Sequence, residues 1–369
     1  MEKDRLFTEK ISNGEDHQKE GIANSVRKRI SYLYEGKRTL RDTHVKTHGC
    51  VEANLEIFNF DEQSIVDKVK KIARLSEEQT ANINLKQGLF AQAKSYRCLL
   101  RFANGSTKGQ SDKTLDARSM SVKIFDVDGP HLEGSYSESE QDIIVQNSTT
   151  FFVRGNKDYH SFFKVVVKPV WRLLFWFLVH PYQAYSLYKT VRRRPQSLMT
   201  ESYWSGSAYA IGEKLSKSTF DAVKQITYPA AVKYGFFSKT TEMPLKQAKS
   251  NFCLRKISEN HYQEDLIDRL SQDNAKYCWD FAIQIQTKLS HSIEDVTIEW
   301  PEEEAPFFTI GQLSLKSQMV TAGEQFEKGE NLRFSPWNGL KVHRPIGELN
   351  RLREYIYPIV AKLRKNLFS

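Results

Sequence analysis

The stretch DARSMSVKIF, from Asp116 to Phe125, is the part of this 369-residue sequence that points most directly to a fold. Polar and apolar residues alternate along its second half, which is the period of a strand with one buried face. Similar patterns predict further strands at 51–58, 97–102, 281–286, 296–300 and 307–315. Strands therefore cluster in the first third of the chain and again near its end, and a polar loop at 104–116 separates two of them.

Helical patterns lie between the two strand clusters and at the C-terminus. They cover 62–76, 157–190 and the chain from 346 onward. The sequence lacks the regular strand–helix alternation of a nucleotide-binding fold, and it contains no glycine-rich phosphate-binding motif. The pattern predicts an α+β protein in which helices are inserted around an antiparallel sheet or barrel.

The composition excludes several classes of protein. Hydrophobic residues make up 40% of the chain, so wholesale disorder is excluded. Lysine and arginine number 54 against 45 aspartate and glutamate, and the formal charge of +9 favours an anionic partner such as nucleic acid, acidic lipid or a ligand with carboxylates. The basic residues are dispersed and match no nucleic-acid-binding module, so nucleic acid is not expected as a partner.

The cysteines and the first residues bear on location. The four cysteines are far apart and form no CxxC pair, so free thiols in a reducing compartment are expected at Cys50, Cys98, Cys253 and Cys278. The first residues contain no apolar leader, which predicts a cytoplasmic protein with the option of peripheral attachment to a membrane. Residues 1–30 are polar and charged, and they are predicted to form an N-terminal arm or frayed helix.

The most apolar stretch is Phe162–Val179, FFKVVVKPVWRLLFWFLV. Its uncharged run is far shorter than the ~20 residues that span a bilayer, so a transmembrane helix is not predicted. Three tyrosines and the basic cluster Arg192–Arg194 follow it. Two interpretations stay open: residues 162–194 lie in an anionic membrane interface, or they form a buried helix with a solvated basic end.

Three separated groups of segments carry candidate chemistry. They are RDTHVK at 41–46; then LRFANG at 100–105, DARSMSVK at 116–123 and DIIVQNSTTFF at 142–152; then RPIGELNRLR at 344–353, which runs on to Tyr357 and Arg364. Taken singly each is weak. A lone histidine such as His44 is usually a surface or core residue, and Arg353 and Tyr357, four residues apart, are commonly a packing pair on one helix face.

In this order and combination, the segments resemble the haem catalase superfamily. The resemblance rests on R-x-x-H before a strand, R-F-[SA], D-x-R-[SG]-[FM]-[SA]-[VI]-K-[FI], an Asn shortly before Phe-Phe, and R-x-x-x-Y near the C-terminus. The stretch FSPWNGLKVHRPIGELNR at 334–351 is similar to the short members, namely the minimal catalase-like haem proteins of bacteria and the catalase-related allene oxide synthases of corals. The likeness covers most of the chain and implies one haem domain over 31–369, preceded by the arm at 1–30.

The resemblance implies a catalase-like antiparallel β-barrel surrounded by helices, with one buried b-type haem. Tyr357 is implied as the axial ligand of the haem iron, and the guanidinium of Arg353, one helical turn away, would keep the phenolate ionised. Further matched positions are the propionate-binding arginines Arg41, Arg101 and Arg364 and the apolar walls Phe151 and Phe152.

On the other side of the haem, His44 is implied as the acid and base that moves a peroxide proton, and the amide of Asn147 orients the peroxide. Two positions depart from ordinary catalases. An ungapped alignment with ordinary catalases puts their asparagine at Gln146, whereas the short members have it where Asn147 stands, and Asn147 is favoured. Thr43 stands where ordinary catalases have valine and the coral enzymes threonine. Its hydroxyl can hydrogen-bond the imidazole and restrain His44, or the change is silent.

Two haem-dependent functions follow from the resemblance. The first is cleavage and rearrangement of an organic hydroperoxide, chiefly one from a fatty acid, by an allene-oxide-synthase-like lyase or isomerase. Thr43, the short chain and the 162–194 stretch favour it. The alternative is a small catalase or peroxidase that consumes hydrogen peroxide, favoured by His44, Asn147 and Tyr357. A third interpretation is a non-catalytic haem or lipid carrier, and the oligomeric state stays open.

Overall fold

The structure is a computed structural model that describes residues 5–35, 39–166, 170–220, 223–239 and 258–365. Its strands are β1 (Thr8–Ile11), β2 (Thr47–Ile57), β3 (Lys94–Asn104), β4 (Arg118–Phe125), β5 (Glu140–Gln146), β6 (Tyr203–Trp204), β7 (Tyr209–Ile211), β8 (Ser216–Phe220), β9 (Val223–Thr227), β10 (Ala230–Ser238), β11 (Lys276–Ile285) and β12 (Phe307–Lys316). Its helices are α1 (Glu15–Leu33), α2 (Glu62–Ala73), α3 (Glu77–Thr80), α4 (Asn156–Val166), α5 (Val170–Val179), α6 (Pro181–Val191), α7 (His261–Leu270), α8 (Ala322–Asn331) and α9 (Glu348–Lys365).

Eight strands close into an antiparallel barrel. They pair in the order β11, β12, β2, β3, β4, β5, β6 and β10, and β10 pairs back onto β11. Strand β7 extends the sheet along β10, and β1, β9 and β8 form a separate small sheet. The predicted α+β class, an antiparallel barrel with helices around it, is confirmed.

The barrel strands present alternate residues to two different environments, because side chains point to opposite faces along a strand. One set is buried in the main hydrophobic core: Leu100 and Phe102 on β3, Met120 and Val122 on β4, and Ile143 and Val145 on β5. The residues between them line a cavity outside the barrel: Arg101, Ser119, Ser121, Ile144 and Gln146. The cavity therefore belongs to the outer face of the barrel, where the helices cover it.

Helix α1 packs on α9 through a second, smaller hydrophobic cluster. Ile22, Val26 and Ile30 of α1 meet Leu349 and Leu352 of α9 in this cluster. The spacing of these residues, three or four apart, is that of one helix face. Burial of this face holds α1 against the helical side of the cavity.

A buried ion cluster fastens the N-terminal segment to α9. The guanidinium of Arg351 contacts the carboxylates of Glu9 (2.7 Å), Glu15 (2.7 Å) and Glu294 (2.9 Å). The segment 1–30, predicted as an arm, thus contains β1 and most of α1, and both pack on the body of the protein. The division of the chain at residue 30 stays a prediction.

Most of the predicted strands are confirmed. Those at 51–58, 97–102, 121–125, 281–286 and 307–315 coincide with β2, β3, β4, β11 and β12, apart from one residue at two of the ends. The strand predicted at 296–300 is wrong. The Asp295 carboxylate accepts hydrogen bonds from the backbone N (2.9 Å) and hydroxyl (2.6 Å) of Thr297, and this local turn competes with strand pairing.

The predicted helix over 157–190 is three helices, α4, α5 and α6. His180 separates α5 from α6, and Pro181 occupies the first turn of α6, where its missing N–H breaks no helical hydrogen bond. The helix predicted from 346 onward is α9, which continues through Pro358 to Lys365. None of the described helices is long and apolar enough to cross a membrane. Cys253 lies outside the described residues, and Cys50 and Cys98 are buried free thiols.

Candidate functional site

A cavity of about 370 Å³ lies between the barrel and the helices α1, α4, α6 and α9. Residues from the barrel side and from α9 share its wall, although they are far apart in the sequence. Nine of the ten predicted site residues line it: Arg41, Thr43, His44, Arg101, Phe151, Phe152, Arg353, Tyr357 and Arg364. Asn147 does not.

His44 enters the cavity from the barrel side, just before β2. Its backbone has a left-handed φ of 57°, which is uncommon for a residue other than glycine. The surroundings hold this conformation: its backbone N donates to Gly105 O (3.4 Å), and Arg101 Nη2 donates to its carbonyl oxygen (2.8 Å). The strained backbone therefore depends on Arg101, itself a wall residue.

The imidazole of His44 is oriented by Ser119. Its Nδ1 lies 2.9 Å from Ser119 Oγ, and Ser119 Oγ donates to Ala103 O (3.2 Å). A serine hydroxyl has one proton, so a serine that donates to Ala103 accepts the Nδ1–H of His44. Nε2 is then the bare nitrogen that remains for a ligand in the cavity.

Burial keeps His44 neutral. Burial first, and then the guanidinium groups of Arg101, Arg353 and Arg41, lower the pKa of His44 to about 3. At neutral pH the imidazole is therefore uncharged, which is the state that a proton acceptor must have. The site therefore contains a base in the correct state for proton transfer.

Thr43 lines the cavity, but its hydroxyl does not orient His44. Among the described residues no hydrogen bond joins Thr43 to the imidazole, and the hydroxyl partner of His44 is Ser119. The structure thus gives no support to restraint of the imidazole by Thr43, because the hydroxyl that contacts Nδ1 belongs to Ser119 on β4. Whether Thr43 restrains His44 or is a silent change stays a prediction.

The two neighbouring amide side chains at the end of β5 lie in different environments. Gln146 lines the cavity and donates through Nε2 to Thr150 O (2.9 Å). Asn147 is fully buried elsewhere, and its Oδ1 accepts a hydrogen bond from the backbone N of Arg118 (2.8 Å). Asn147, predicted as the cavity amide, therefore does not line the cavity, whereas Gln146, the less favoured alternative, does. Gln146 is the last residue of β5 and Asn147 follows it, so the two side chains leave the backbone on opposite sides. The catalytic role of either amide stays a prediction.

Tyr357 and Arg353 reach the cavity from α9, one helical turn apart. Arg353 Nη1 donates to Ser207 Oγ (3.1 Å) and Asn350 Oδ1 (3.1 Å), so two neighbours fix the position of its guanidinium. The helix persists beyond Tyr357 although Pro358 provides no N–H for the carbonyl of Glu354. The phenol and a guanidinium thus occupy one face of a continuous helix.

Three arginines surround one buried carboxylate at the edge of the cavity. Glu330, only 1% exposed, lies 3.6 Å from Arg41 Nε and 3.5 Å from Arg101 Nη2, and its other oxygen is 3.9 Å from Arg364 Nη2. Burial first lowers the pKa of Arg41 to about 9 and that of Arg101 to about 10, values that still leave both protonated at neutral pH. Among the described residues Glu330 is the one carboxylate in ion-pair contact with Arg41 and Arg101, so this pair of guanidinium groups can attract a further anionic group.

These residues fit a flat apolar ligand with carboxylate groups. Arg41 Nε and Arg101 Nε are buried donors without a hydrogen-bond partner among the described residues. Unpaired buried donors are costly, and carboxylates of a ligand would satisfy them. Aromatic rings supply apolar walls: Phe151, Phe152, Phe162, Phe163 and Phe334. A haem, with its two propionates, has this combination of properties.

Several residues of the site are not evident from the sequence. Ser119 belongs to the motif at 116–123 but has no predicted role there, and Gln146 is the less favoured of two neighbouring amides. Glu330 had no local signal, because its arginine partners come from remote parts of the chain. Helix α6 adds Leu187 and Val191 to the wall, and nothing in their spacing distinguishes a cavity face from a core face.

Comparisons with known proteins agree with this geometry. A family model described as Catalase matches residues 76–345. Peroxisomal catalase A of Saccharomyces cerevisiae is 24% identical over 260 residues, which cover 66% of this chain and 45% of that protein. The chain thus spans less than half of this curated relative. His44, Arg353 and Tyr357 lie outside the range that the family model matches, so their place in the site rests on the structure.

Solved structures resemble the fold over nearly the whole chain. A fungal catalase superposes with a TM-score of 0.62 at 17% identity, covering 91% of this chain and 61% of that one. A bacterial catalase gives 0.63 at 16%, covering 91% and 59%. Catalase A from Saccharomyces cerevisiae gives 0.62 at 16%, covering 91% and 63%. The barrel with its covering helices is the architecture that these proteins share.

Proposed function

The chain belongs to the catalase family, and on that premise we propose that it is an enzyme that binds haem in the cavity between the barrel and α9 and acts on hydroperoxides. One observation carries the proposal. His44, held by Ser119 with one bare nitrogen, and Tyr357, one turn from Arg353, reach the same cavity from the barrel and from α9. An acid–base group and an iron ligand on two different elements are what haem peroxide chemistry requires.

The proposed haem contacts follow from the chemistry of the wall. Arg41, Arg101 and Arg364 would bind the propionates of haem b, because planar guanidinium groups pair well with carboxylates. Tyr357 would hold the haem iron through its phenol oxygen, with the guanidinium of Arg353 one helical turn away on α9. Phe151 and Phe152 cover the apolar surface of the ring and exclude water.

The residues around the peroxide move a proton and orient the substrate. When bound, a haem supplies the iron that binds a peroxide oxygen and exchanges electrons with it. His44 accepts the proton of the hydroperoxide group at Nε2 and returns it to the other oxygen, a general acid–base role. The amide of Gln146 is the polar group from β5 that orients the peroxide by hydrogen bonding.

We propose an organic hydroperoxide, chiefly one from a fatty acid, as the substrate, with a rearranged product as an allene-oxide-synthase-like lyase or isomerase would form. The apolar wall beyond the aromatic rings supports this choice, because Leu187 and Val191 of α6 and Ile356 and Val360 of α9 offer contacts to an acyl chain. Thr43 gives this substrate no support, because its hydroxyl makes no hydrogen bond to the imidazole of His44 among the described residues.

The alternative is a catalase or peroxidase that consumes hydrogen peroxide. A specific observation favours it: Ser119 holds the imidazole of His44 at Nδ1, and among the described residues Thr43 makes no hydrogen bond to the ring that would restrain proton transfer. The name of the yeast relative, a catalase, points in the same direction for that protein. Both functions use the same haem, the same His44 and the same Tyr357.

One comparison tests the proposal and separates the two substrates. The haem-loaded protein is given hydrogen peroxide, with oxygen release as the readout, and separately a fatty-acid hydroperoxide, with loss of the conjugated diene as the readout. Diene loss that His44→Gln abolishes supports the fatty-acid substrate. Fast oxygen release without diene loss supports the catalase alternative. A haem-loaded protein that does neither is a carrier and overturns the proposed activity.

A further inference from the structure

Exposed apolar side chains are concentrated on α5 and α6. Of the fifteen large hydrophobic side chains that are exposed in the described part of the chain, eight lie within 171–188 and are between 40 and 75% exposed. These eight, here called the α5–α6 face, are Trp171, Leu174, Phe175, Leu178, Val179, Tyr182, Tyr185 and Tyr188. A contiguous exposed apolar surface on a folded protein usually marks a binding surface.

The helices that carry the α5–α6 face are anchored from behind. Trp171, Leu174, Phe175 and Leu178 follow the spacing of one helix face. On the opposite side of α5, Trp176 is buried, stacks on His180 and donates through Nε1 to Ser161 Oγ (3.1 Å). The outward direction of the apolar residues is therefore fixed by packing on the inward side.

The segment that carries the α5–α6 face is basic. The sequence between Asp158 and Glu201 contains no acidic residue, whereas it contains Lys164, Lys168, Arg172, Lys189, Arg192, Arg193 and Arg194. Arg192, Arg193 and Arg194 are exposed directly after α6. Arg193 lies 3.7 Å from Glu201, and the described residues give Arg192 and Arg194 no acidic partner. If two copies of the chain paired through this face, the basic groups of one copy would meet those of the other. Charge complementarity points instead to an anionic surface.

We propose that the α5–α6 face docks the protein onto an anionic membrane surface. Tryptophan and tyrosine favour the boundary between headgroups and acyl chains, and lysine and arginine beside them attract acidic lipids. Helices α5 and α6 have only 10 and 11 residues, which suits helices lying in the interface.

Docking on this face brings the membrane next to the cavity. Helix α6 presents Tyr185 and Tyr188 outward, whereas its Leu187, Thr190 and Val191 line the cavity wall. A single helix therefore separates the acyl-chain boundary from the site. Delivery of a lipid hydroperoxide from the membrane into the cavity rests on the proposed function, but docking itself does not.

Vesicle flotation of the full-length protein tests docking without any activity measurement. Vesicles of phosphatidylcholine alone are compared with vesicles that also contain phosphatidylserine. We expect flotation with the anionic vesicles and about tenfold less with neutral ones, because the basic groups lose their partner. Leu174→Asp with Leu178→Asp should lower binding to anionic vesicles about tenfold or more, since charged groups then replace inserted apolar ones.

The matched control is Leu289→Asp with Met319→Asp, which changes two exposed apolar residues far from this face in the sequence and should leave flotation unchanged. The thermal midpoint of each variant verifies folding, which both pairs should preserve because all four positions are exposed. Absence of flotation of the wild type, or equal flotation of both pairs, would overturn the proposal. So would self-association in the absence of vesicles that only the α5–α6 variant loses, since the partner is then a second copy of the chain.

Discussion

The Nδ1 atom of His44 lies 2.9 Å from the hydroxyl oxygen of Ser119. This contact joins the loop before β2 to the start of β4, and the two residues are 75 positions apart in the sequence. It fixes the tautomer of the imidazole, because Ser119 also donates to Ala103 O. The proton acceptor of the site is thus set by a neighbouring strand and not by Thr43 beside it.

Ser119→Ala should lower kcat/KM for the peroxide about tenfold, because the imidazole loses the partner that orients it and fixes its tautomer. The matched control is Thr43→Val, which keeps the shape of the wall and should change kcat/KM less than about twofold. Steady-state kinetics on the haem-loaded variants measure both. A larger effect of Thr43→Val than of Ser119→Ala would restore Thr43 as the residue that controls His44.

Gln146→Leu should lower kcat/KM about tenfold or more with little loss of stability, because it removes an amide from the cavity. The carbonyl of Thr150 keeps a hydrogen bond from Ser148 Oγ (3.0 Å) in this variant. Asn147→Ala should instead lower stability and leave kcat/KM nearly unchanged. It leaves the buried N–H of Arg118 unpaired, at a cost of about 1–3 kcal/mol in the free energy of unfolding. Kinetics together with urea unfolding distinguish the two, and a kinetic effect confined to Asn147→Ala would contradict this assignment.

Tyr357→Phe should abolish haem retention, because phenylalanine has no oxygen to bind iron. Tyr355→Phe is the matched control, since Tyr355 lies on the same helix, is 41% exposed and does not line the cavity. The ratio of haem to protein after gel filtration is the measurement. Full haem content in Tyr357→Phe would refute the ligand assignment.

Glu330→Gln should destabilise the haem-free protein by about 3–5 kcal/mol, because the buried guanidinium groups of Arg41 and Arg101 lose their opposite charge. Haem should reduce this loss, since its propionates supply new carboxylates to the same arginines. Glu324→Gln, at an exposed position of α8, should change stability by less than about 0.5 kcal/mol. Urea unfolding with and without haem measures the loss of stability in each state. An equal loss in both states would show that Glu330 does not belong to the haem site.

His343 gives the fold a pH dependence of defined sign. Burial lowers its pKa to about 3, and its Nε2 accepts a hydrogen bond from Leu89 N (3.0 Å). The pKa of His343 in the unfolded chain is about 6.5. Below this pH the unfolded chain binds a proton that the folded chain does not, so the free energy of unfolding decreases as the pH is lowered, by up to about 1.4 kcal/mol per pH unit. The stability advantage of the wild type over His343→Gln should therefore be constant above about pH 7 and shrink below it. Urea unfolding at several pH values measures it, and a constant difference down to about pH 5 would contradict the buried neutral state.

The sequence predicted the strands of the barrel well where one face of each strand is buried. Alternation at 51–58 and 121–125 and strand-like runs at 97–102, 281–286 and 307–315 identify β2, β4, β3, β11 and β12. Strands as short as β6, with two residues, carry too few positions for a period to be visible. The segment 296–300 has the composition of a strand, but the local hydrogen bonds of Asp295 and Thr297 prevail there.

The sequence by itself determined the fold class, and its resemblance to the haem catalases pointed to nine residues that line the cavity, because the motifs that carry the resemblance are residue types in a fixed order along the chain. Only the tertiary structure decided which of two adjacent amides faces the cavity, since a shift of one residue along β5 reverses the face. It also decided the partner of His44 and placed Glu330, 229 positions from Arg101, among the arginines. These contacts depend on how distant segments pack, and no local pattern of the chain records that packing.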